Sequence, residues 1–190
     1  MQITKTLETA LAAATEDRAE PVRIMWPTPG NPAGWLTFST FAQWQEFVAN
    51  LDLTRTVPDI VAAKFERAQK LYLLAWVDFE LIKAGELTAL TTLEIALKDR
   101  YGHKVKDKRF AHLLKYLPDK DGLTDDKLPM IQRSGGKAIC FLTGEGHPTL
   151  AERRNDLAHG YPFESGPIGG LLELVRDLID YAYRDWPLAK

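Results

Sequence analysis

The sequence predicts an all-α protein, an antiparallel helical bundle preceded by a small N-terminal extension. Three observations carry this expectation. Apolar residues recur with helical period over long stretches from Pro58 onward. The connections between those stretches are short, which favours antiparallel neighbours. Residues with β propensity gather only in two short runs near the N-terminus. A chain of 190 residues suffices for one sizeable core with an appendage. The expected division is an extension over residues 1–55 and a bundle over 56–190, with an irregular insertion at 118–147.

Each element has its own signal. Ile3, Leu7, Leu11 and Ala14 are spaced for a short amphipathic helix. VRIMWPTPGNPAGWLTF then places two β-prone runs around Pro27, Pro29, Gly30, Asn31, Pro32 and Gly34, the pattern of a hairpin or a proline-rich loop. Thr40 and Gln43 form a T-x-x-Q capping pattern, and Phe41, Trp44, Phe47 and Val48 follow on one helical face, where they are read as core. Thr56 and Pro58 mark the start of one long helix that Gly85 is expected to stop. ELTALTTLEIALKDRYG predicts a second helix ending at Gly102, and RFAHLLKYL a third bounded by Pro118. Between Pro118 and His147 the sequence is crowded with Gly, Asp, Lys and Pro, which predicts irregular chain with about one helical turn. Thr149 and Glu152 form a T-x-x-E capping box, and Gly160 closes the helix that they open. In the last helix Leu171, Leu174, Val175, Leu178, Ile179 and Ala182 make the buried stripe.

Composition narrows the function classes. A net charge of −2 argues against coating nucleic acid by bulk electrostatics. The longest apolar run, LYLLAWV at 71–77, is too short for a bilayer, and Glu8 interrupts the only apolar stretch at the N-terminus. Those features, together with a single cysteine, Cys140, read here as a small core residue, lead us to expect a cytoplasmic protein without a membrane partner. The charge is unevenly spread. Lys98, Arg100, Lys104, Lys106, Lys108, Arg109 and Lys115 face only Asp99 and Asp107 over one short stretch that also holds His103 and His112. Such a stretch is either a solvated helix end with its favourable cations or a surface that meets phosphate.

The most suggestive segment is ERRNDLAHGY at 152–161. Asn155 and His159 stand at i and i+4 on one helical face, and the long side chain of Arg154 reaches the same flank. His159 falls in the last turn, where unpaired carbonyls favour its protonated form. An arginine fork, an amide and an imidazole are the parts that a metal-free phosphodiester cleavage requires: a charge stabiliser, an orienting group and a proton carrier. The same residues also suit a purely structural role, with the arginine paired to a carboxylate and the histidine stabilising the helix end.

RNDLAHGY resembles the R-x-x-x-x-H signature of the HEPN superfamily (higher eukaryotes and prokaryotes nucleotide-binding), in which a polar residue, often Asn, follows the arginine. The setting is similar too, with two long helices before the motif and an amphipathic helix after it, and LEIALKDRYG at 93–102 resembles the second-helix segment of several such families. The resemblance covers roughly residues 56–186. It implies a HEPN-like bundle and a metal-independent endoribonuclease acting as a homodimer, with neither metal nor cofactor. It further implies that Arg154 stabilises the phosphate, Asn155 orients the groups, and His159 transfers a proton as the RNA 2′-hydroxyl attacks, leaving a 2′,3′-cyclic phosphate. Lys104, Lys106, Lys108 and Arg109 would guide the RNA backbone. His159-Gly160-Tyr161 is similar to toxins in which a nucleotidyltransferase antitoxin modifies the tyrosine, making Tyr161 a candidate modification site, although the residues alone favour a packed tyrosine just past a helix end. The compact toxins of the superfamily lack an extension like 1–55 and an insertion like 118–147. Some members bind a nucleotide or a protein partner without cutting RNA, and that is the alternative reading. Glu94 either faces Arg154 or pairs with Lys98 along its own helix. Four scattered histidines, His103, His112, His147 and His159, form no H-E-x-x-H, and RSGGKA at 133–138 lacks P-loop spacing.

Overall fold

The computed structural model describes residues 20–160 and 166–186. The expected helix around Ile3–Ala14 lies outside them. The two β-prone runs form an antiparallel hairpin, β1 (Val22–Met25) and β2 (Trp35–Phe38), in the register Val22↔Phe38 to Met25↔Trp35. Its proline-rich loop is closed by the backbone pairs Trp26 to Gly34 and Thr28 to Asn31. Gly34 is required there, because a Cβ would lie 2.3 Å from Thr28 Oγ1. Helix α1 (Phe41–Ala49) starts with the Thr40–Gln43 capping box, and it buries Trp44 and Val48 as its spacing predicts. Trp44 stacks edge-on against Phe38 of the hairpin, and its Nε1–H donates to the carbonyl of Tyr72.

Two long helices follow, divided differently from the expectation. Helix α2 (Asp59–Leu74) begins after Pro58, whose carbonyl accepts from Val61 and Ala62, and Thr56 makes no cap. Proline biases the residue before it toward extended backbone, so helix cannot easily reach back to position 56. The chain then turns through residues 75–80, where Asp78 Oδ1 accepts from the Glu80 amide, and helix α3 (Leu81–Tyr101) runs straight through Gly85. Gly85 is a contact point rather than a stop. A Cβ there would come within 2.6 Å of the buried Tyr72 ring of α2. Helix α3 is central: Ile82, Ala89, Leu90, Leu93, Ala96 and Leu97 are fully buried, and it packs on four other helices.

Helix α4 (Phe110–Lys120) continues one residue pair past Pro118, held by the buried Phe110, Leu113, Leu114 and Leu117. The segment expected to be irregular contains a 3₁₀ turn (Asp125–Lys127) and two short helices, α5 (Pro129–Ser134) and α6 (Cys140–Thr143). Polar anchors organise it. Asp125 Oδ1 accepts from the amides of Ala138 and Ile139, the Asp177 carboxylate accepts from the Met130 amide, and Arg133 pairs with Glu173 at 2.6 Å. Cys140 is only partly buried, so the expectation of a core cysteine fails. Helix α7 (Leu150–His159) opens on the Thr149–Glu152 capping box and ends at Gly160, which takes the left-handed conformation at φ 66°. Helix α8 (Leu171–Ala182) buries the predicted stripe and adds Leu172, Glu173, Asp177 and Tyr181. Glu86 near the start of α3 bonds Ile168, and Arg100 near its end bonds the carbonyl of Ala182, so α8 lies along α3 in the same direction. This departs from a uniformly antiparallel bundle, because the long excursion through α4–α7 returns the chain to the starting end of α3. The described residues thus form eight α-helices with one small hairpin, and none of these helices is long and apolar enough to cross a membrane.

Gly85→Val is expected to lose about 2–3 kcal/mol, near the top of the overpacking range, because the new side chain enters the space of the Tyr72 ring. A urea titration reads this as a lower midpoint with an unchanged slope.

Candidate functional site: a cation-lined cleft between α3, α4 and α7

The site begins with two consecutive arginines on α7. Arg153 is 2 % exposed, and its guanidinium meets the fully buried Glu86 of α3 at 2.6 Å. The second Glu86 oxygen accepts from the Ile168 amide at 2.5 Å. A buried carboxylate needs this degree of satisfaction, since an unpaired charge in the core is prohibitively costly. Arg154 lies about 100° further round the helix and emerges on a different flank. It pairs with Glu94 Oε2 at 3.0 Å, and its guanidinium carbon sits 5.8 Å from the centre of the Phe110 ring. Its Nε is buried without a hydrogen-bond partner among the described residues. Glu94 also holds Lys98 at 2.7 Å, so both readings of that residue hold together.

Around Arg154 the helices α3, α4 and α7 leave a cleft of about 790 Å³. Lys98, Lys108, Arg109 and Arg154 line it against Glu94 and Asp107, so four permanent cations face two carboxylates. Asn155, His112 and the first turn of α4 complete the wall. That first turn brings the positive end of a helix dipole, which favours anions. Asp107 organises the entrance. It accepts from the Arg109 amide at 2.9 Å and from Arg109 Nε at 2.7 Å, and it stands 3.1 Å from His112 Nδ1. The hydrogen bond from the Arg109 side chain lowers the Asp107 carboxyl to about 2.

Of the residues singled out by sequence, the cleft brings together Arg154, Asn155, Lys108 and Arg109. His159 is exposed in the last turn of α7 and is not among the lining residues. Lys104 and Lys106 are exposed and also absent from the lining, and Lys104 Nζ lies 5.6 Å from the Tyr101 ring instead. Tyr161 lies outside the described residues. Lys98 and His112 were not selected from sequence, although both belong to the basic stretch. Only the packing of α4 against α3 places them beside Arg154.

A smaller cavity of about 300 Å³ opens between the hairpin loop, α5 and the start of α8. Its lining is mostly apolar, including Pro27, Met130, Phe141, Leu150 and Leu174, and Lys137 is its one charged residue among the described residues. It offers no acid–base pair, so the cation-lined cleft is the better candidate. Among the described residues no group of three or more His, Cys, Asp or Glu side chains is arranged to hold a metal ion. The described part of the chain is therefore a mostly helical protein with a small hairpin and a basic cleft. No protein-family model matches the chain, and no curated protein or solved structure matches it either.

The two arginines should respond unequally to truncation. Arg153→Ala is expected to cost about 3–5 kcal/mol by leaving Glu86 charged inside the core. Arg154→Ala, on a partly exposed pair, is expected to cost less than about 1 kcal/mol. Chemical denaturation of both variants checks this. A second outcome concerns the cap of α7. The Thr149 amide, with His147 beside it, lowers the Glu152 carboxyl from 4.5 to about 2. A carboxylate with a depressed folded-state pKa stabilises fully above its unfolded value and loses that contribution as pH falls. The melting temperatures of wild type and Glu152→Gln are thus expected to converge as pH drops from 4.5 toward 2.

Proposed function

We propose that this chain is a HEPN-like, metal-independent endoribonuclease that cleaves single-stranded RNA and works as a cytoplasmic homodimer, in the manner of a toxin or defence effector. One observation carries the reading. The arginine and asparagine of the R-x-x-x-x-H motif line a single cleft with Lys98, Lys108, Arg109 and His112. That cluster suits an RNA backbone, whose affinity comes mainly from cations facing phosphates. A guanidinium also suits the developing charge at the phosphorus, where fixed donors act most strongly on the transition state. Single strands are favoured because attack by the 2′-hydroxyl requires a backbone free to align in line. On this reading Arg154 holds the scissile phosphate, Asn155 orients it, and His159 takes part in proton transfer. The products are a 2′,3′-cyclic phosphate and a 5′-hydroxyl.

A second reading is a HEPN-like module that binds a nucleotide or a protein partner without cleaving RNA. It is favoured by the existing pairing of Arg154 with Glu94 and by the position of His159 outside the cleft lining.

Purified protein incubated with end-labelled single-stranded RNAs in EDTA separates the two. Cleavage to cyclic-phosphate ends is expected, with a loss of roughly 10²-fold or more in both Arg154→Ala and His159→Ala. Intact RNA after incubation with the wild type, across many sequences, would sink the ribonuclease reading.

A further inference from the structure

The cleft contains a histidine that lies outside the motif. We propose that His112 is the proton acceptor of the site, its imidazole taking the proton of the attacking RNA 2′-hydroxyl. This rests on the ribonuclease reading above and supplies the base for it.

The geometry distinguishes His112 from the other histidines. It lines the cleft together with Arg154 and Asn155, whereas His103, His147 and His159 do not. Its Nδ1 stands 3.1 Å from Asp107 Oδ2, and its side chain is 48 % exposed. This is a charge contact rather than an aligned hydrogen bond: a carboxylate on the Nδ1 side favours the tautomer protonated there and leaves Nε2 as the acceptor. Asp107 is itself held by the Arg109 amide and side chain, so its carboxylate stays ionised and in place. Among the described residues, the charged groups that line the cleft with His112 are Asp107, Lys108 and Arg109 from the stretch leading into α4, Glu94 and Lys98 from α3, and Arg154 from α7. His147 makes a similar carboxylate contact with Glu152, at 2.9 Å, but that pair belongs to the cap of α7.

The step balances without a metal or a redox partner. The 2′-O–H proton passes to Nε2 of His112 as the O2′–P bond forms and the P–O5′ bond breaks. The departing O5′ takes a proton from solvent, which His159, exposed outside the cleft lining, relays, and exchange with water restores His112. Arg154 and Arg109 balance the added negative charge on the phosphate oxygens. Asp107 is a positioning residue and exchanges no proton.

The test uses the full chain and the oligoribonucleotide best cleaved by the wild type. His112→Ala is expected to lower kcat by roughly 10²-fold or more. Its Kd for the same oligonucleotide with 2′-O-methyl groups, which cannot be cleaved, is expected to stay within about threefold. Asp107→Asn is expected to lower kcat in the same direction through loss of the charge on the Nδ1 side of the ring. Both side chains are exposed enough for the variants to fold, which an unchanged melting temperature verifies. A His112→Ala variant that cleaves at the wild-type rate overturns the inference while the ribonuclease reading stands. A loss confined to KM and Kd also overturns it, since it makes His112 a phosphate contact only. Failure of the wild type to cleave removes the reading and this inference together.

Discussion

The ion pair between Glu86 and Arg153 is the constraint on which the site depends. Helix α7 fully buries only Leu150 and Arg153 and half-buries Ala151 and Leu157 against the core, so apolar packing alone would position it weakly. A fully buried carboxylate changes this. Among the described residues, Glu86 is met by the Arg153 guanidinium and the Ile168 amide, which come from α7 and from the approach to α8. Satisfying one charge in the core therefore fixes three parts of the chain at once. With Arg153 locked inward, helical geometry leaves Arg154 a single flank, the one that looks onto α3 and the start of α4. Discrimination between the two neighbours comes from burial, since both are the same residue type on the same turn.

Much of the local structure was legible because it is encoded locally. The Thr40–Gln43 and Thr149–Glu152 boxes, the proline-rich hairpin and the stripe of α8 each carry their signal within a few residues. Features that depend on distant partners were misread. Gly85 looks like a terminator in sequence, but the buried Tyr72 ring gives it a different purpose, and the break that separates α2 from α3 lies ten residues earlier. The segment around α5 and α6 looks irregular because its composition is polar. Its order comes from Asp125, Asp177 and Glu173, which satisfy amides and an arginine across long sequence separations. No periodicity reports such contacts.

The same distinction governs the site. Arg154 and Asn155 stand out in a short motif, and Lys108 and Arg109 in a local excess of positive charge. His112 and Lys98 have no motif, and their relevance appears only when α3 and α4 bring them to one wall. Lys104 and Lys106 show the converse, because residues close in sequence to Lys108 are exposed without lining the cleft. Charge counted along a chain overstates what reaches a common cleft.

Glu94 holds Arg154 on one side and Lys98 on the other, so the guanidinium already has an anionic companion. An anion arriving there trades places with a carboxylate, and its net gain is the difference between two ion pairs rather than the whole of one. A monoanion profits little from such an exchange. A polyanion that also engaged Lys108 and Arg109 would profit from several contacts for one displacement, so valence would decide what the cleft holds.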